Sequence, residues 1–261
     1  MEDIPIYSDD NCASLLKWFP FRNISSDNLV RLVCFPFAGG TARLFSSWQN
    51  ALPGVEICAV ELPGRAGRFS ESPLESIAEM LKHLYEALIQ MDDMPMVFFG
   101  HSMGAHLAHR LAFKLEQTGK RGPEWVIVSS SRPPHSPKPK KLRRSSLPDD
   151  QFLHFLKQLD GIPKAFLEEK QLIDLLLPTI RADFGALESL DYNHPLKISA
   201  NIGAFVGDKD KIVSLPRIQG WSKQTTGRFF VQTFSGGHFY ITSATGDLWR
   251  SLRPIIDDLR R

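Results

Sequence analysis

Few cysteines and no long hydrophobic run are found in this sequence of 261 residues. Its three cysteines are an odd number without paired spacing, which indicates thiols in a reducing compartment rather than a disulfide framework. The N-terminal MEDIPIYSDD lacks the basic flank and apolar core of a signal peptide. No stretch approaches the about 18 apolar residues of a membrane span. We therefore expect a cytoplasmic protein without a membrane partner.

An excess of one charge is also missing. The 31 Lys and Arg residues nearly balance the 29 Asp and Glu residues, and the formal charge is +2. This charge is too small to indicate a nucleic-acid partner. The hydrophobic share of 43% is ordinary for a globular protein, and the length suffices for one sizeable core. We expect a single domain over residues 1–261.

Short runs rich in β-forming residues recur along the chain and are nearly continuous in apolar residues. Parallel strands covered by helices on both faces have this pattern. Apolar residues at helical spacing lie between the second and third runs, at 74–88, and after the third run, at 105–115. The capping-box pattern SPLE at 72–75 predicts that the first of these helices begins at Pro73. This alternation predicts the α/β class, with a mostly parallel central sheet and helices on both faces. The runs span residues 30–35, 55–60, 96–100, 125–130, 198–206 and 228–234.

The alternation stops between residue 132 and about residue 195. A Pro-rich basic stretch, RPPHSPKPKKLRR, precedes amphipathic segments around residues 151–159 and 170–190. A block of this length without strands is too long for an ordinary connection. We predict an inserted helical lid over one end of the sheet. The clustered cations are interpreted as a solvated loop, with a docking patch for an acidic partner as the alternative; they are Lys138, Lys140, Lys141, Arg143 and Arg144.

The pentapeptide GHSMG at 100–104 fits the pattern G-x-S-x-G. It follows a predicted strand and precedes a predicted helix, which is the setting of a nucleophile elbow. Such an elbow has glycines around its serine because the sharp turn leaves no room for side chains. We predict that Ser102 is a nucleophile presented at the carboxyl edge of the sheet of an α/β-hydrolase fold.

A serine hydroxyl is a poor nucleophile at neutral pH, so it needs a base, and the base needs an acid that fixes its tautomer. In this fold the order along the chain is serine, acid, histidine. His238 stands behind two glycines after the run 228–234, and we predict that it is the base. Asp208 and Asp210 both follow the run that ends at residue 206. We favour Asp210, because the acid usually stands a few residues beyond its strand.

An oxyanion hole in this fold takes one backbone N–H from the residue after the nucleophile and another from the loop after an early strand. Met103 supplies the first. In the run FPFAGG at 35–40, either Phe37 or Ala38 supplies the second, and the sequence does not choose between them. The run lacks the spacing G-x-G-x-x-G, and no H-E-x-x-H pattern is present, so we expect neither a bound cofactor nor a metal.

Five short motifs, taken in order, resemble those of the type II thioesterases. This stand-alone α/β-hydrolase family works beside polyketide synthases, nonribosomal peptide synthetases and animal fatty acid synthase. The resemblance covers almost the whole chain. The motifs are LVCFPFAGG at 32–40, ELPGR at 61–65, FFGHSMGA at 98–105, RADF at 181–184 and GGHFY at 236–240.

The resemblance implies an enzyme that hydrolyses acyl thioesters on the phosphopantetheine arm of an acyl or peptidyl carrier protein and removes stalled or wrongly primed acyl groups. It implies that Ser102 is the nucleophile, His238 the base and Asp210 the acid. The lid, from about residue 132 to 195, is expected to shape the acyl chamber. The prosthetic group belongs to the carrier protein, and a monomer is expected. The long basic stretch before Leu147 departs from the family's usual lid.

The motifs leave other functions open. A thioesterase that releases medium-chain fatty acids from an acyl carrier protein, or a general esterase, has the same catalytic residues. A hydrolase fold without activity that serves as a binding protein is a further alternative, which an intact set of catalytic residues disfavours.

Overall fold

Six parallel strands form one sheet in the computed structural model, which describes residues 9–134, 143–159, 169–190 and 196–260. The spatial order is β2-β1-β3-β4-β5-β6, and every predicted run overlaps one strand. The predicted parallel α/β architecture is therefore confirmed. The strands are β1 (Val30–Phe35), β2 (Val55–Ala59), β3 (Met96–His101), β4 (Trp125–Ser129), β5 (Asn201–Gly207) and β6 (Phe229–Phe234).

Helices alternate with these strands, as a parallel sheet requires for its crossovers. In the described ranges they are α1 (Asp9–Trp18), α2 (Trp48–Ala51), α3 (Ile77–Leu88), α4 (Met103–Gln117), α5 (Asp149–Lys157), α6 (Lys170–Glu188), α7 (Leu215–Ile218), α8 (Tyr240–Ser243) and α9 (Thr245–Leu259). Short 3₁₀ turns lie at Ala42–Phe45, Ala66–Arg68, Arg144–Ser146 and Gln219–Gln224.

The core consists of two apolar layers, one on each face of the sheet. Successive strand residues point to opposite faces, so Phe98 packs in the layer under α1, α3 and α4, whereas Phe99 packs under α2 and α9. Each such side chain contributes roughly 1.5–3 kcal/mol when it is fully buried. Cys34 and Cys58 are buried free thiols in the same layers, and burial, followed by the nearby Glu56 charge, raises the pKa of Cys58 to about 12.

Helix α3 begins at Ile77 rather than at the predicted Pro73, and that predicted boundary is wrong. Ser76 caps the helix, because its hydroxyl accepts a hydrogen bond from the backbone N–H of Glu79 at 3.1 Å. The sequence from Ser76 to Glu79 is itself an S-x-x-E pattern. Leu74 instead packs against the core from the preceding loop.

Helices α5 and α6 lie between β4 and β5, where the helical insertion is predicted; we call them the lid helices. They pack on each other through a small apolar cluster that includes Phe152 and Phe184, whose rings meet edge to face. Of the basic stretch, Lys138, Lys140 and Lys141 lie outside the described residues. Within the described part, the guanidinium of Arg144 lies 3.9 Å from the ring centre of Phe155.

No helix in the described ranges has the length and apolar character needed to cross a bilayer.

Candidate active site

Ser102 occupies the sharp turn between β3 and α4. Its φ of 54° and ψ of −110° are strained for a residue with a side chain. A Cβ on Gly104 would lie 2.0 Å from the carbonyl oxygen of Phe35, and one on Gly100 would lie 2.1 Å from the carbonyl oxygen of Gly104. The two glycines are therefore steric requirements of the turn. The turn places Ser102 at the carboxyl edge of the sheet, in the wall of a cavity.

His238 lies against Ser102 although 136 positions separate them in the chain. Its Nε2 is 3.2 Å from the Oγ of Ser102, and its Nδ1 is 3.0 Å from the Oδ2 of Asp210. The imidazole is nearly buried, with 6% of the side chain exposed. With the carboxylate accepting the Nδ1–H, the Nε2 lone pair faces the serine hydroxyl. This arrangement can remove a proton from the hydroxyl.

The two carboxylates after β5 have different partners. The Oδ1 of Asp210 accepts the backbone N–H groups of Ile212 and Val213 at 2.8 and 3.0 Å, which orients its Oδ2 toward the imidazole. Asp208 instead accepts the backbone N–H of Gly236 at 2.9 Å. Asp208 therefore braces the loop that carries the histidine.

The pKa of Asp210 lies below its ordinary value. Burial acts to raise this pKa, but the hydrogen bond from His238, the charge of the imidazole and the N–H donors of Val213 and Ile212 together outweigh burial. The carboxylate thus stays ionised at neutral pH beside the imidazole.

A buried polar chain stands behind the imidazole, and sequence reasoning gave its member His101 no role in the site. The Nδ1 of His101 lies 2.8 Å from the Oγ of Ser129, which lies 2.7 Å from the phenol oxygen of Tyr240. Burial, followed by the charge of His238, lowers the pKa of His101 well below 6.5. A neutral His101 ring, 5.3 Å from the ring of His238, adds no positive charge next to it.

The loop after β1 contains the residues predicted to supply the second oxyanion donor. The backbone N–H of Gly39 donates to the Oδ2 of Asp183 at 2.7 Å, and that of Gly40 donates to the carbonyl of Phe37 at 2.8 Å. Both of these donors are therefore engaged. Within the described ranges, the N–H groups of Phe37, Ala38 and Met103 make no hydrogen bond to protein.

Asp183 and Arg65 form a buried ion pair to which sequence reasoning gave no role. The Oδ2 of Asp183 lies 2.8 Å from Nη1 of Arg65, and its Oδ1 lies 2.8 Å from Nη2. Two of the quoted motifs, ELPGR and RADF, each contribute one charge to this pair. Each of these motifs contains one acid and one base, so the sequence alone does not single out Arg65 and Asp183 as partners.

An apolar cavity of about 480 Å³ opens above Ser102 and His238. The lid helices form one wall, and the loop after β1 forms another. A cavity of this size and character accommodates an aliphatic acyl group. Its apolar lining comprises Phe37, Ala38, Leu44, Ala66, Leu156, Leu159, Leu176, Ile180, Phe184 and Phe239.

Metal ligands do not cluster in the part of the chain that the structure describes. No group of three or more His, Cys, Asp or Glu side chains there could hold a metal ion.

Known proteins are similar to this chain in sequence and in fold. A family model described as "Thioesterase domain" matches residues 30–256. The chain is 34% identical to the gramicidin S biosynthesis protein GrsT of Aneurinibacillus migulanus, over 86% of this chain and 88% of that protein. It is also 34% identical to the medium-chain S-acyl fatty acid synthase thioesterase of Homo sapiens, over 81% of this chain and 80% of that protein. The solved structure of the type II thioesterase BorB from the borrelidin biosynthetic cluster superposes with a TM-score of 0.80 at 33% identity, over 92% of this chain and 96% of that chain.

Proposed function

This chain belongs to the thioesterase family as a type II thioesterase, and from that premise we propose that it removes acyl groups from the phosphopantetheine arm of a carrier protein, with Ser102, His238 and Asp210 as its catalytic residues. The observation that carries the proposal is the position of His238, within hydrogen-bond reach of both Ser102 and Asp210 at the floor of an apolar cavity.

In the first step, His238 takes the hydroxyl proton of Ser102 through Nε2 while the serine oxygen attacks the thioester carbonyl. Asp210 holds the tautomer and stabilises the imidazolium that forms. The tetrahedral intermediate collapses, the carbon–sulfur bond breaks, and the imidazolium returns its proton to the departing thiolate. The products are the acyl-enzyme and the free phosphopantetheine thiol.

Water cleaves the acyl-enzyme in the second step. His238 takes a proton from the water as its oxygen attacks the ester carbonyl, and then gives that proton to the oxygen of Ser102. The carboxylic acid leaves, and the enzyme returns to its starting state. His238 thus carries the transferred proton in both steps, first to the departing thiolate and then to the oxygen of Ser102.

Negative charge on the carbonyl oxygen develops twice, once in each step. The N–H of Met103 at the start of α4 is one proposed donor to this oxyanion, where the helix N-terminus also favours negative charge. The second proposed donor is the N–H of Phe37 or of Ala38. The engagement of the Gly39 and Gly40 N–H groups elsewhere supports this choice.

The proposed partner is an acyl or peptidyl carrier protein of a polyketide synthase, a nonribosomal peptide synthetase or a fatty acid synthase. The pathway names of the similar proteins support this class of partner. The proposed role is editing, in which stalled or wrongly primed acyl groups are cleared. We further propose that the enzyme acts as a monomer in the cytoplasm and that the phosphopantetheine of the carrier protein is the only prosthetic group involved.

A second candidate function is the release of medium-chain fatty acids from a fatty acid synthase. The apolar lining of the cavity and its volume of about 480 Å³ favour an aliphatic chain over a polar peptide. Editing and chain release use the same catalytic residues and differ in the acyl groups that are preferred.

The experiment measures hydrolysis of acyl groups from a phosphopantetheinylated carrier protein loaded with acetyl, medium-chain or long-chain groups. Ser102→Ala removes the nucleophile, and Ser251→Ala, which changes a serine of α9 that does not line the cavity, is the matched control. We expect activity in the wild type and in Ser251→Ala, and its loss in Ser102→Ala. Broad activity on short acyl groups supports editing, whereas a sharp preference for medium chains supports chain release. Full activity of Ser102→Ala would falsify the catalytic assignment.

A further inference from the structure

The Arg65–Asp183 pair is almost completely shielded from solvent. The side chains of Arg65 and Asp183 are 1% and 0% exposed, and two parallel hydrogen bonds of 2.8 Å join them. Buried ion pairs contribute little net stability, since desolvation offsets their attraction, and well-packed apolar residues often replace them without loss. The proposed chemical steps do not use this pair either.

Both partners of the pair also bind the loop after β1, residues 36–41, which we call the oxyanion loop. Asp183 accepts the N–H of Gly39 at 2.7 Å, and Arg65 donates to the carbonyl of Gly40 at 3.3 Å. Two successive residues of the loop are thereby fixed by one ion pair. Hydrogen bonds to charged groups are short and about twice as strong as neutral ones, so they orient a peptide group well.

Asp183 belongs to the face of the lid helix α6 that lies on this loop. Ile180, one turn earlier, is so close to Gly39 that a Cβ on the glycine would lie 2.6 Å from its Cγ1. Gly39 also has a φ of 77°, which other residues rarely adopt. Thr179 on the same helix donates to the carbonyl of Gly64 at 2.7 Å, next to Arg65. The lid helix is therefore fastened to the oxyanion loop and to the ELPGR motif together.

The contacts of Gly39 and Gly40 determine where the preceding N–H groups point. The N–H of Gly39 and the carbonyl of Ala38 belong to one peptide plane, so a fixed N–H fixes the orientation of that plane. The N–H groups of Phe37 and Ala38 are the next donors back along the loop. A displacement of about 1 Å at such a donor can cost about 100-fold in rate.

We propose that Asp183, held by Arg65, is a positioning residue that keeps the oxyanion loop in its catalytic geometry and so makes the oxyanion hole depend on the lid helix α6. The inference rests on the proposed function, because it assigns a role in the same reaction.

The test separates the hydrogen-bond acceptor from the charge by comparing two double variants. Arg65→Met/Asp183→Asn removes both charges but keeps a side-chain oxygen for the N–H of Gly39. Arg65→Met/Asp183→Leu removes both charges and the acceptor as well. Neither variant leaves an unpaired buried charge, which would destabilise the fold in a single variant.

The measurements are kcat and KM on a medium-chain acyl carrier protein, the affinity for a trifluoromethyl ketone that forms a tetrahedral adduct, and thermal unfolding. We expect Arg65→Met/Asp183→Leu to lose about 10- to 100-fold in kcat, with little change in KM and a matching loss of inhibitor affinity. Arg65→Met/Asp183→Asn should retain most of the wild-type kcat. Equal kcat values in the two folded variants would overturn the proposal.

Glu56→Gln is the control for a buried ion pair that is far from the site. Glu56 binds Arg22 and Arg31 with 2% of its side chain exposed, near the amino ends of β1 and β2, opposite the carboxyl edge that holds Ser102. This variant should lose stability while its kcat stays at the wild-type value. If the wild type neither hydrolyses the thioester of an acyl carrier protein nor reacts at Ser102 with a fluorophosphonate, the proposed function itself is contradicted. An active wild type with equal double variants contradicts only the positioning role.

Discussion

The Oδ2 of Asp210 lies 3.0 Å from the Nδ1 of His238, and the two residues are carried by loops that leave neighbouring strands. Because β5 and β6 are parallel and adjacent, their carboxyl ends meet at the same edge of the sheet. Asp208 lies in the same loop as Asp210, but its carboxylate accepts a hydrogen bond from the backbone N–H of Gly236 instead. Two carboxylates at the same edge of the sheet thus have different hydrogen-bond partners.

Asp210→Asn should lower kcat by about 1,000- to 10,000-fold, because an amide does not fix the imidazole tautomer or stabilise the imidazolium. Asp208→Asn keeps an oxygen that can accept the N–H of Gly236, and its kcat should stay within about threefold of the wild type. Steady-state hydrolysis of an acyl carrier protein measures both. A larger loss in Asp208→Asn than in Asp210→Asn contradicts the assignment of the acid.

Gly104→Ala should abolish activity, because the new methyl group would lie 2.0 Å from the carbonyl oxygen of Phe35 and would push the start of α4 away from β1. Gly246→Ala is the matched control, since a Cβ at Gly246 in α9 has no neighbour within 4 Å. The control should change the free energy of unfolding by no more than about 1 kcal/mol. Circular dichroism, urea unfolding and turnover distinguish the two variants.

Leu176→Phe should shift the preferred acyl group toward shorter chains, because Leu176 lines the cavity and the larger ring occupies part of its volume. Leu175→Phe changes the preceding residue of α6, which has 46% of its surface exposed and does not line the cavity. Competition between acyl carrier proteins of different chain length gives the ratio of kcat/KM values. The same shift in both variants would show that cavity volume is not its cause.

The wild type should lose stability as the pH rises through the range in which Glu61 titrates, and Glu61→Gln should remove this loss. Burial raises the pKa of Glu61 from 4.5 to about 7 despite the hydrogen bond from Ala42 and the charges of Arg65 and Arg68. Because the folded pKa is the higher one, the contribution of this group is fully present below pH 4.5 and is lost as pH rises to about 7. The variant should therefore gain about 1–3 kcal/mol relative to the wild type between these pH values. Urea unfolding of both proteins across this range checks the sign.

His109→Gln should reduce sensitivity to acid. Burial lowers the pKa of His109 from 6.5 to about 4, so its contribution to stability is present above pH 6.5 and is lost as pH falls to about 4. Glutamine is polar and does not titrate in this range. The free energy of unfolding of the variant should fall less steeply than that of the wild type between these pH values. An identical slope in both proteins means that His109 is not the group responsible.

The sequence by itself determined the features that depend on neighbouring residues. The apolar run at 30–35 gives β1 with the same bounds, because the pattern of a buried parallel strand is continuous along a few residues. The elbow around Ser102 follows from glycines within two positions of the serine, since the steric limits of a turn are local. Only Ser102 combines this spacing with a preceding strand and a following helix.

Only the tertiary structure decided which distant groups meet. The sequence favoured Asp210 over Asp208 only by its distance from the preceding strand, whereas the orientation of their loop set the hydrogen-bond partners of each. Arg65 and Asp183 are 118 positions apart, and no local pattern relates them. Their pairing depends on how the lid helix packs on the sheet edge. Hydrogen bonds require a fit of a few tenths of an ångström, and packing of the whole fold supplies it.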